Sequence, residues 1–230
     1  MSIFPDIKVS NNTVFAWLDF EYLCGDRFYL MIRNIIFDFG AVLVDWNPHY
    51  LYDPYFGDVE KATWFLENIC TFAWNRELDG GKPFDEGVAE LSAIHPEWSR
   101  EIELYKSGWI KMMGGQIPGM YEIVAELKSR GYGVWGLTNW SSETLCQIED
   151  KYPVFSLLDG RIVSGEVRLL KPDEAIYRCL LNTFGLKAEE CLFIDDNAEN
   201  VDGALKLGIE AWTFTDAATL RTRLAAAHIL

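Results

Sequence analysis

The chain alternates short apolar runs with segments in which apolar residues recur at helical spacing. The apolar runs predict buried strands of a parallel sheet at residues 35–37, 134–137, 154–158, 191–194 and 211–214. The later segments between them predict helices at residues 121–128, 172–184 and 198–207. Strands and helices in alternation predict an α/β fold built on a doubly wound parallel sheet.

A long stretch after the first strand has a different pattern. Residues from about 49 to 115 lack strand signals, and apolar residues recur at helical spacing near 64–69 and 88–94. The residues Asp45-Trp46-Asn47-Pro48 break the apolar run that precedes them. We therefore predict a mostly helical insertion at 47–115, within an α/β core formed by 31–46 and 116–230.

Residues 1–30 differ from the rest of the chain, since they are rich in aromatic and acidic residues and have no clear period. Met31 opens a segment that would serve well as a protein start. Our hypothesis is that residues 1–30 are an extension that does not belong to the natural protein. The alternative is an N-terminal element that packs on the core.

The amino-acid composition excludes some classes of binding partner for the protein. The 230 residues are half apolar and carry a formal net charge of -15, which argues against nucleic acid and anionic membranes as the main partner. The five cysteines are scattered without a C-x-x-C motif, which is typical of a reducing, cytoplasmic environment. No apolar run reaches transmembrane length. We expect a cytoplasmic protein with a small-molecule partner, whose oligomeric state the sequence does not give.

Polar residues follow three of the predicted strands. They are Asp38, the pair Thr138-Asn139 and the pair Asp195-Asp196. Ligands bind beyond the carboxyl ends of strands in such sheets, so we expect these residues to meet at one rim. Two carboxylates about 4 Å apart repel by about 1–4 kcal/mol, and three together need cations. Lys171 supplies one positive charge, and Mg²⁺ suits carboxylates together with a bound phosphate.

Four motifs in this order resemble those of the haloacid dehalogenase-like (HAD) hydrolases. They are residues 37–43, 137–139, 171–172 and 193–197. The resemblance extends over about residues 32–214, and is strongest to the subgroup that contains sugar-phosphate phosphatases such as alpha-D-glucose-1-phosphate phosphatase. It implies a Rossmann-like core with an inserted helical cap, and a Mg²⁺-dependent phosphatase that acts on a small phosphorylated metabolite.

The resemblance also implies roles for residues at the rim. Asp38 resembles the nucleophile that forms an aspartyl-phosphate. Asp38, the Gly40 carbonyl and Asp196 resemble metal ligands. Asp195 resembles a further ligand or a carboxylate behind the ligands. The alternative for Asp195 is a helix cap.

Further residues are implied to bind the phosphate. Thr138 and the Asn139 backbone resemble donors to phosphate oxygens, and Lys171 resembles the charge that holds the nucleophile and the phosphate together. Arg76, in the insertion, is a candidate for binding a substrate anion. Pairing of Arg76 with a neighbouring acid is an equally good interpretation.

One position departs from the family pattern. Most family phosphatases have an aspartate two residues after the nucleophile as general acid and base, and this chain has Gly40. Either Asp45 or His49 delivers the proton, or the substrate has a good leaving group, or the reaction needs no acid. The last case would make the chain a 2-haloacid dehalogenase, against which the pair Asp195-Asp196 counts. A binding module without catalysis is a third possibility, and the retained lysine argues against it.

Overall fold

The computed structural model describes residues 32–230, so both hypotheses about residues 1–30 concern a segment outside the described residues. Within this range the chain forms seven strands: β1 (Asn34–Phe37), β2 (Val44–Trp46), β3 (Met113–Gln116), β4 (Gly133–Thr138), β5 (Gly160–Val163), β6 (Cys191–Asp195) and β7 (Glu210–Thr213). Five of them form one parallel sheet in the order β5-β4-β1-β6-β7. The strand β1 therefore lies at the centre of the main sheet.

Helices fall into two groups along the chain. Those between β2 and β3 are α1 (His49–Phe56), α2 (Val59–Asn68), α3 (Phe72–Asp79), α4 (Phe84–Ile94) and α5 (Ser99–Ser107). Those after β3 are α6 (Met120–Ser129), α7 (Ser142–Leu145), α8 (Ser164–Val167), α9 (Glu174–Phe184), α10 (Ala198–Leu205) and α11 (Ala217–Ala226). The predicted α/β fold, with a parallel sheet and an inserted helical region, is confirmed. None of the helices in residues 32–230 has the length and apolarity that a membrane crossing requires.

The apolar strand β1 explains why helices cover both faces of the sheet. Ile35, Ile36 and Phe37 are all fully buried. Successive side chains of a strand point to opposite faces, and accordingly Ile35 and Phe37 join one hydrophobic cluster while Ile36 joins another. The first cluster includes apolar residues of α6 and α11, and the second includes those of α9 and α10. A strand that is apolar at every position requires such a two-sided cover.

The strand predicted at residues 154–158 is wrong. Pro153–Leu157 forms a 3-10 helix, and the edge strand is Gly160–Val163. Pro153 has no N–H and a fixed φ, which suits the first position of a helix. The real strand carries Gly160 and Arg161, so its apolar signal is weak.

A two-stranded antiparallel sheet of β2 and β3 joins the two ends of the helical insertion. Neither strand was predicted: β2 continues through Asp45 and Trp46, where we expected a break, and β3 is poor in apolar residues. Gly114 explains the pairing, because a Cβ at this position would collide with the Asp45 carboxylate. The glycine thus allows the two strands to approach closely.

We predict that Gly136→Ala destabilises the protein by about 1–3 kcal/mol through overpacking. A Cβ on Gly136 would lie 2.5 Å from Cε1 and 2.7 Å from Cζ of Phe39, a fully buried residue. Urea unfolding measures the loss. Phe39→Leu removes these two ring atoms and serves as the control background, in which Gly136→Ala should be less damaging. An equal loss in both backgrounds would contradict this explanation.

Candidate active site

Asp38 directly follows the central strand, at its carboxyl end. The backbone N–H of Asp38 donates to the Ile194 carbonyl of β6 at 2.9 Å, and Oδ1 of Asp38 accepts the Phe39 N–H at 2.7 Å. The residue is 8% exposed and lines a cavity of about 320 Å³. The sheet therefore holds the carboxylate by its backbone and leaves part of it accessible from the cavity.

Lys171 is completely buried beside this carboxylate. Its Nζ lies 2.8 Å from Asp38 Oδ1 and 2.6 Å from Asp195 Oδ2, and donates to the Leu137 carbonyl at 2.9 Å. These contacts engage all three N–H donors of the ammonium group. Burial opposes the charge of Lys171, but the two carboxylates outweigh it and raise the pKa of this lysine above its ordinary value. Lys171 is therefore a charged residue in the interior of the site.

The backbone of Lys171 is fixed by two further candidate residues. Asn139 accepts the Lys171 N–H with Oδ1 at 2.8 Å and donates from Nδ2 to the Lys171 carbonyl at 3.0 Å. Arg76 Nη1 donates to the same carbonyl at 2.8 Å and lines the cavity. The Asn139 side chain is thus used to position the lysine, so the backbone of Asn139 is the part left for a phosphate. Arg76 connects α3 of the insertion to the core.

Asp195 is fully buried, and both of its carboxylate oxygens are engaged. Oδ1 accepts the Asn197 N–H at 2.8 Å and Nδ2 of Asn200 at 3.0 Å, while Oδ2 accepts Lys171 Nζ. The helix cap is instead Asn197, whose Oδ1 accepts the Glu199 N–H at 2.8 Å. The interpretation of Asp195 as the cap of α10 is therefore wrong. Its role is to hold Lys171 and the start of this helix.

Three carboxylates lie close enough to share a cation. One oxygen each of Asp38, Asp195 and Asp196 lies within 4.8 Å of the other two. Burial raises the pKa of Asp38 to about 7, with Lys171 acting against the rise and the other two aspartates adding to it. Burial and the Asp195 charge also raise the pKa of Asp196. The cluster thus needs positive charge beyond Lys171, and its oxygen donors suit a hard divalent cation.

Within this cluster, the engagement of Asp195 decides which groups remain for the cation. Asp38, Gly40 and Asp196 line the cavity, and Asp195 does not. Asp38 and Asp196 with the Gly40 carbonyl are therefore the suitable ligands, and Asp195 lies behind them. The donor set fits the predicted magnesium site.

Thr138 provides a polar group without a partner. It ends β4 and is completely buried, and its Oγ1 makes no hydrogen bond to any of the residues that the structure describes. Buried hydroxyl groups are almost always bonded. Thr138 is not among the residues that line the cavity, but it follows Leu137, whose carbonyl accepts Lys171, and its free hydroxyl suits an oxyanion as its partner.

The cavity has two different walls. The core contributes the charged and polar rim described above. Four aromatic residues also line the cavity and are here called the aromatic wall: Trp46, Phe72, Trp109 and Trp140. From α3 come Asn75, Arg76 and Asp79. Sequence reasoning missed Asn75 and Asp79, since no motif separates Asp79 from the other acidic residues of the chain.

The glycine at the family's acid position is explained by its neighbour. A Cβ on Gly40 would lie 3.3 Å from Cζ3 of Trp140, so the tryptophan ring fills the space next to Gly40. Neither alternative proton donor lines the cavity. Asp45 accepts the Tyr50 hydroxyl at 2.6 Å, and His49 Nδ1 contacts Asp53 at 2.7 Å. Both candidates are therefore engaged elsewhere.

Comparison with known proteins gives relatives of two kinds. The chain is 28% identical over 191 residues to the sesquiterpene phosphatase astK of Aspergillus oryzae, covering 80% of this chain and 90% of astK. It is 33% identical over 186 residues to the drimenol cyclase drtB of Aspergillus calidoustus, of which it spans only 34%. The two relatives carry different activities, so similarity to them does not by itself assign one.

The fold is also found among solved structures. A HAD family enzyme of Bacteroides thetaiotaomicron, crystallised as a magnesium complex, superposes with a TM-score of 0.63 at 20% identity. The match covers 80% of this chain and 94% of that enzyme. A sequence model of the haloacid dehalogenase-like hydrolases matches residues 32–208. Together with the rim of Asp38, Thr138, Lys171 and Asp196, this match means that the chain belongs to the haloacid dehalogenase-like hydrolase family.

Proposed function

We propose that the chain is a Mg²⁺-dependent phosphatase that hydrolyses a small organic phosphate monoester through an aspartyl-phosphate on Asp38. The observation that carries this proposal is the position of Lys171, which is fully buried between Asp38 and Asp195. A lysine in this position favours the ionised, attacking form of Asp38 against the burial that raises its pKa to about 7, and it adds positive charge where phosphate oxygens gain negative charge. The similarity to a sesquiterpene phosphatase supports the same activity.

The phosphate site follows from the groups left free at the rim. Thr138 has an unpartnered hydroxyl, and Arg76 lines the cavity from the insertion. We assign both to the phosphate oxygens, together with the Asn139 backbone, while the fully engaged Lys171 ammonium acts on the phosphate through its charge. These groups orient phosphorus towards Asp38, and the net charge of -15 makes such local positive charge necessary for an anionic substrate.

Asp38, the Gly40 carbonyl and Asp196 would hold the magnesium ion, since these three groups line the cavity. When bound, the ion supplies positive charge that offsets the carboxylates and polarises the phosphate. Two alternatives are weaker. Halide displacement needs no metal and leaves the carboxylate cluster without a purpose. A binding module needs no buried lysine next to a nucleophile.

The organic part of the substrate meets the aromatic wall of the cavity. Burying an aromatic or aliphatic group stabilises a complex by about 1.5–3 kcal/mol, whereas this wall offers few partners for sugar hydroxyls. Phe72 is 70% exposed and lines the cavity, so its ring is available to contact a bound apolar group. We therefore propose an isoprenoid or similarly apolar monophosphate, in line with the similarity to astK.

Asp38→Asn should lower phosphatase kcat/KM by more than about 10³-fold, because the amide cannot form the acyl phosphate. Phosphate release from an aryl phosphate with Mg²⁺ measures this loss, and chloride release from a 2-chloro acid tests the dehalogenase alternative in parallel. Asp45→Asn is the matched control, since Asp45 bonds Tyr50 outside the cavity. Full activity of the Asp38 variant would refute the nucleophile assignment.

Magnesium should raise the melting temperature of the wild type. A hundredfold excess over the dissociation constant contributes about 2.7 kcal/mol, which is about 5–10 °C for a chain of this length. Asp196→Asn should remove the shift, and without magnesium it should be at least as stable as the wild type because one repelling carboxylate is gone. Asp202→Asn changes an exposed aspartate of α10 and should keep the shift. A shift that survives in Asp196→Asn would contradict the ligand assignment.

Phe72→Ser should lower kcat/KM for a sesquiterpenyl monophosphate about 10-fold, because a loss of about 1.5 kcal/mol of apolar contact corresponds to that factor. The same change should leave turnover of a hexose phosphate within about twofold, since the phosphate site is intact. Ile94→Ser is the control, as Ile94 is equally exposed at 70% but does not line the cavity. Equal effects on both substrates would argue against an apolar substrate group.

A further inference from the structure

Asp79 is an acidic residue of the cavity that is neither the proposed nucleophile nor a proposed metal ligand. It ends α3, in the insertion, and lines the same cavity as Asp38 and Lys171. The core has Gly40 at the position where family phosphatases carry their acid, and the ring of Trp140 lies 3.3 Å from the Cβ that a larger residue would add. A proton donor for a leaving group that requires one therefore comes from another part of the cavity wall.

The carboxyl group of Asp79 is held by a buried polar chain. Asn75 Nδ2 donates to Asp79 Oδ2 at 2.8 Å, and Tyr105 donates to Asn75 Oδ1 at 2.9 Å. Asn75 and Tyr105 are both buried. Burial raises the pKa of the Tyr105 hydroxyl well above its ordinary value. This group therefore stays protonated and acts as the hydrogen-bond donor to Asn75. The Asn75 amide is thereby oriented with its NH₂ towards Asp79.

The backbone at Asp79 is attached to the core. Ser164 Oγ, at the start of α8, donates to the Asp79 carbonyl at 2.5 Å. Two residues further on, a Cβ at Gly81 would lie 3.0 Å from the Gly165 carbonyl, so the two backbones are in close contact. The end of α3 is thus fixed relative to the sheet that carries Asp38, although α3 belongs to the insertion.

We propose that Asp79 is the general acid and base of this enzyme, in place of the residue that Gly40 lacks. The inference rests on the proposed phosphatase function. In a phosphoryl transfer the attacking and leaving oxygens are roughly in line, so the leaving oxygen lies on the side of phosphorus away from Asp38. Asp79 enters the cavity from the insertion, which is the part of the wall not formed by the sheet rim.

The electrostatics of Asp79 agree with this role. Burial is the main effect and raises the pKa of Asp79 to about 8, against a backbone hydrogen bond from Ser141 that lowers it. Among charged neighbours, Asp38 raises the pKa, whereas Arg76 and Lys171 lower it. The carboxyl group therefore carries a proton at neutral pH, as an acid must before it donates.

Glu199 also lines the cavity and, like Asp79, is neither the proposed nucleophile nor a proposed metal ligand. It is exposed in the first turn of α10, three residues after Asp196. It therefore belongs to the same rim as the metal ligands and the nucleophile. A proton donor at this rim would lie on the same side of phosphorus as Asp38, away from the leaving oxygen. This position favours Asp79 over Glu199 as the general acid.

Asp79 donates a proton in the first chemical step and accepts one in the second. First, an Asp38 oxygen bonds to phosphorus, the ester P–O bond breaks with its electron pair on the leaving oxygen, and Asp79 gives that oxygen its proton. The products are the alcohol, the aspartyl-phosphate and an ionised Asp79. Second, Asp79 takes a proton from the attacking water, the water oxygen bonds to phosphorus, and the electron pair of the P–O bond returns to Asp38. Inorganic phosphate leaves and Asp79 is protonated again.

The test compares two esters that differ in their need for an acid, hexyl phosphate and p-nitrophenyl phosphate. The hexyl alkoxide requires a proton as it leaves, whereas the nitrophenolate does not. Asp79→Asn should lower kcat/KM for hexyl phosphate by about 10²–10⁴-fold and that for the aryl ester by less than about tenfold. Asp79→Glu should restore part of the hexyl phosphate activity, and Asp85→Asn, on an exposed aspartate, should change neither.

The pH profile gives a second readout that a structural role would not move. Because the protonated form donates, kcat/KM for hexyl phosphate should fall as the pH rises through the pKa of Asp79, and Asp79→Asn should abolish this limb. Equal losses on both esters, no loss on either, or a wild type that turns over only the aryl ester would overturn the role of Asp79. A folded wild type that hydrolyses neither ester would instead overturn the proposed function, and the assignment of Asp79 with it.

Discussion

The buried ion pairs of Lys171 are the interaction on which the rest of the site depends. Burying an ammonium group is strongly unfavourable unless it is paired and bonded on every donor, and here Asp38, Asp195 and the Leu137 carbonyl fulfil this condition. These three partners come from the ends of β1, β6 and β4, which are neighbours in the sheet. The register of three strands is thus linked to one charge, and a shift of any of them would leave a buried charge unpaired.

The same lysine also connects the helical insertion to the chemistry. Its carbonyl accepts both Asn139 of the core and Arg76 of α3. The core and the insertion therefore share a hydrogen-bonded backbone group at the site where we propose that the phosphate binds. The Ser164 contact to Asp79 adds a second connection at the end of the same helix. Together they explain how side chains of the insertion keep a fixed position relative to Asp38, the proposed nucleophile on the sheet.

The sequence predicted those site residues that stand at the end of a recognisable strand. Asp38 and Asp195 follow apolar strands, and the strand itself carries them to the rim, so local reasoning was sufficient. Asp79 could not be identified in this way, because it is held in the core by hydrogen bonds from Ser141 and Ser164, which are far from it in sequence. The helix-cap interpretation of Asp195 failed for a similar reason, since its partner Lys171 lies 24 residues away. Residue type and spacing do not encode contacts between distant segments.

Gly40 and Trp140 link the departure of this chain from its family pattern to the aromatic wall of the cavity. A tryptophan ring packed against the glycine adds apolar surface to the cavity, and it would have to shift to admit a larger residue, since its Cζ3 lies 3.3 Å from the position of a Cβ at Gly40. An apolar substrate group gains from such a ring, whereas a phosphate ester of an alcohol still needs a proton on its leaving oxygen. Both requirements are compatible only if the acid approaches from another element. The combination of Gly40 with Trp140 therefore accounts both for the aromatic wall beside Gly40 and for the proposed proton donor on α3.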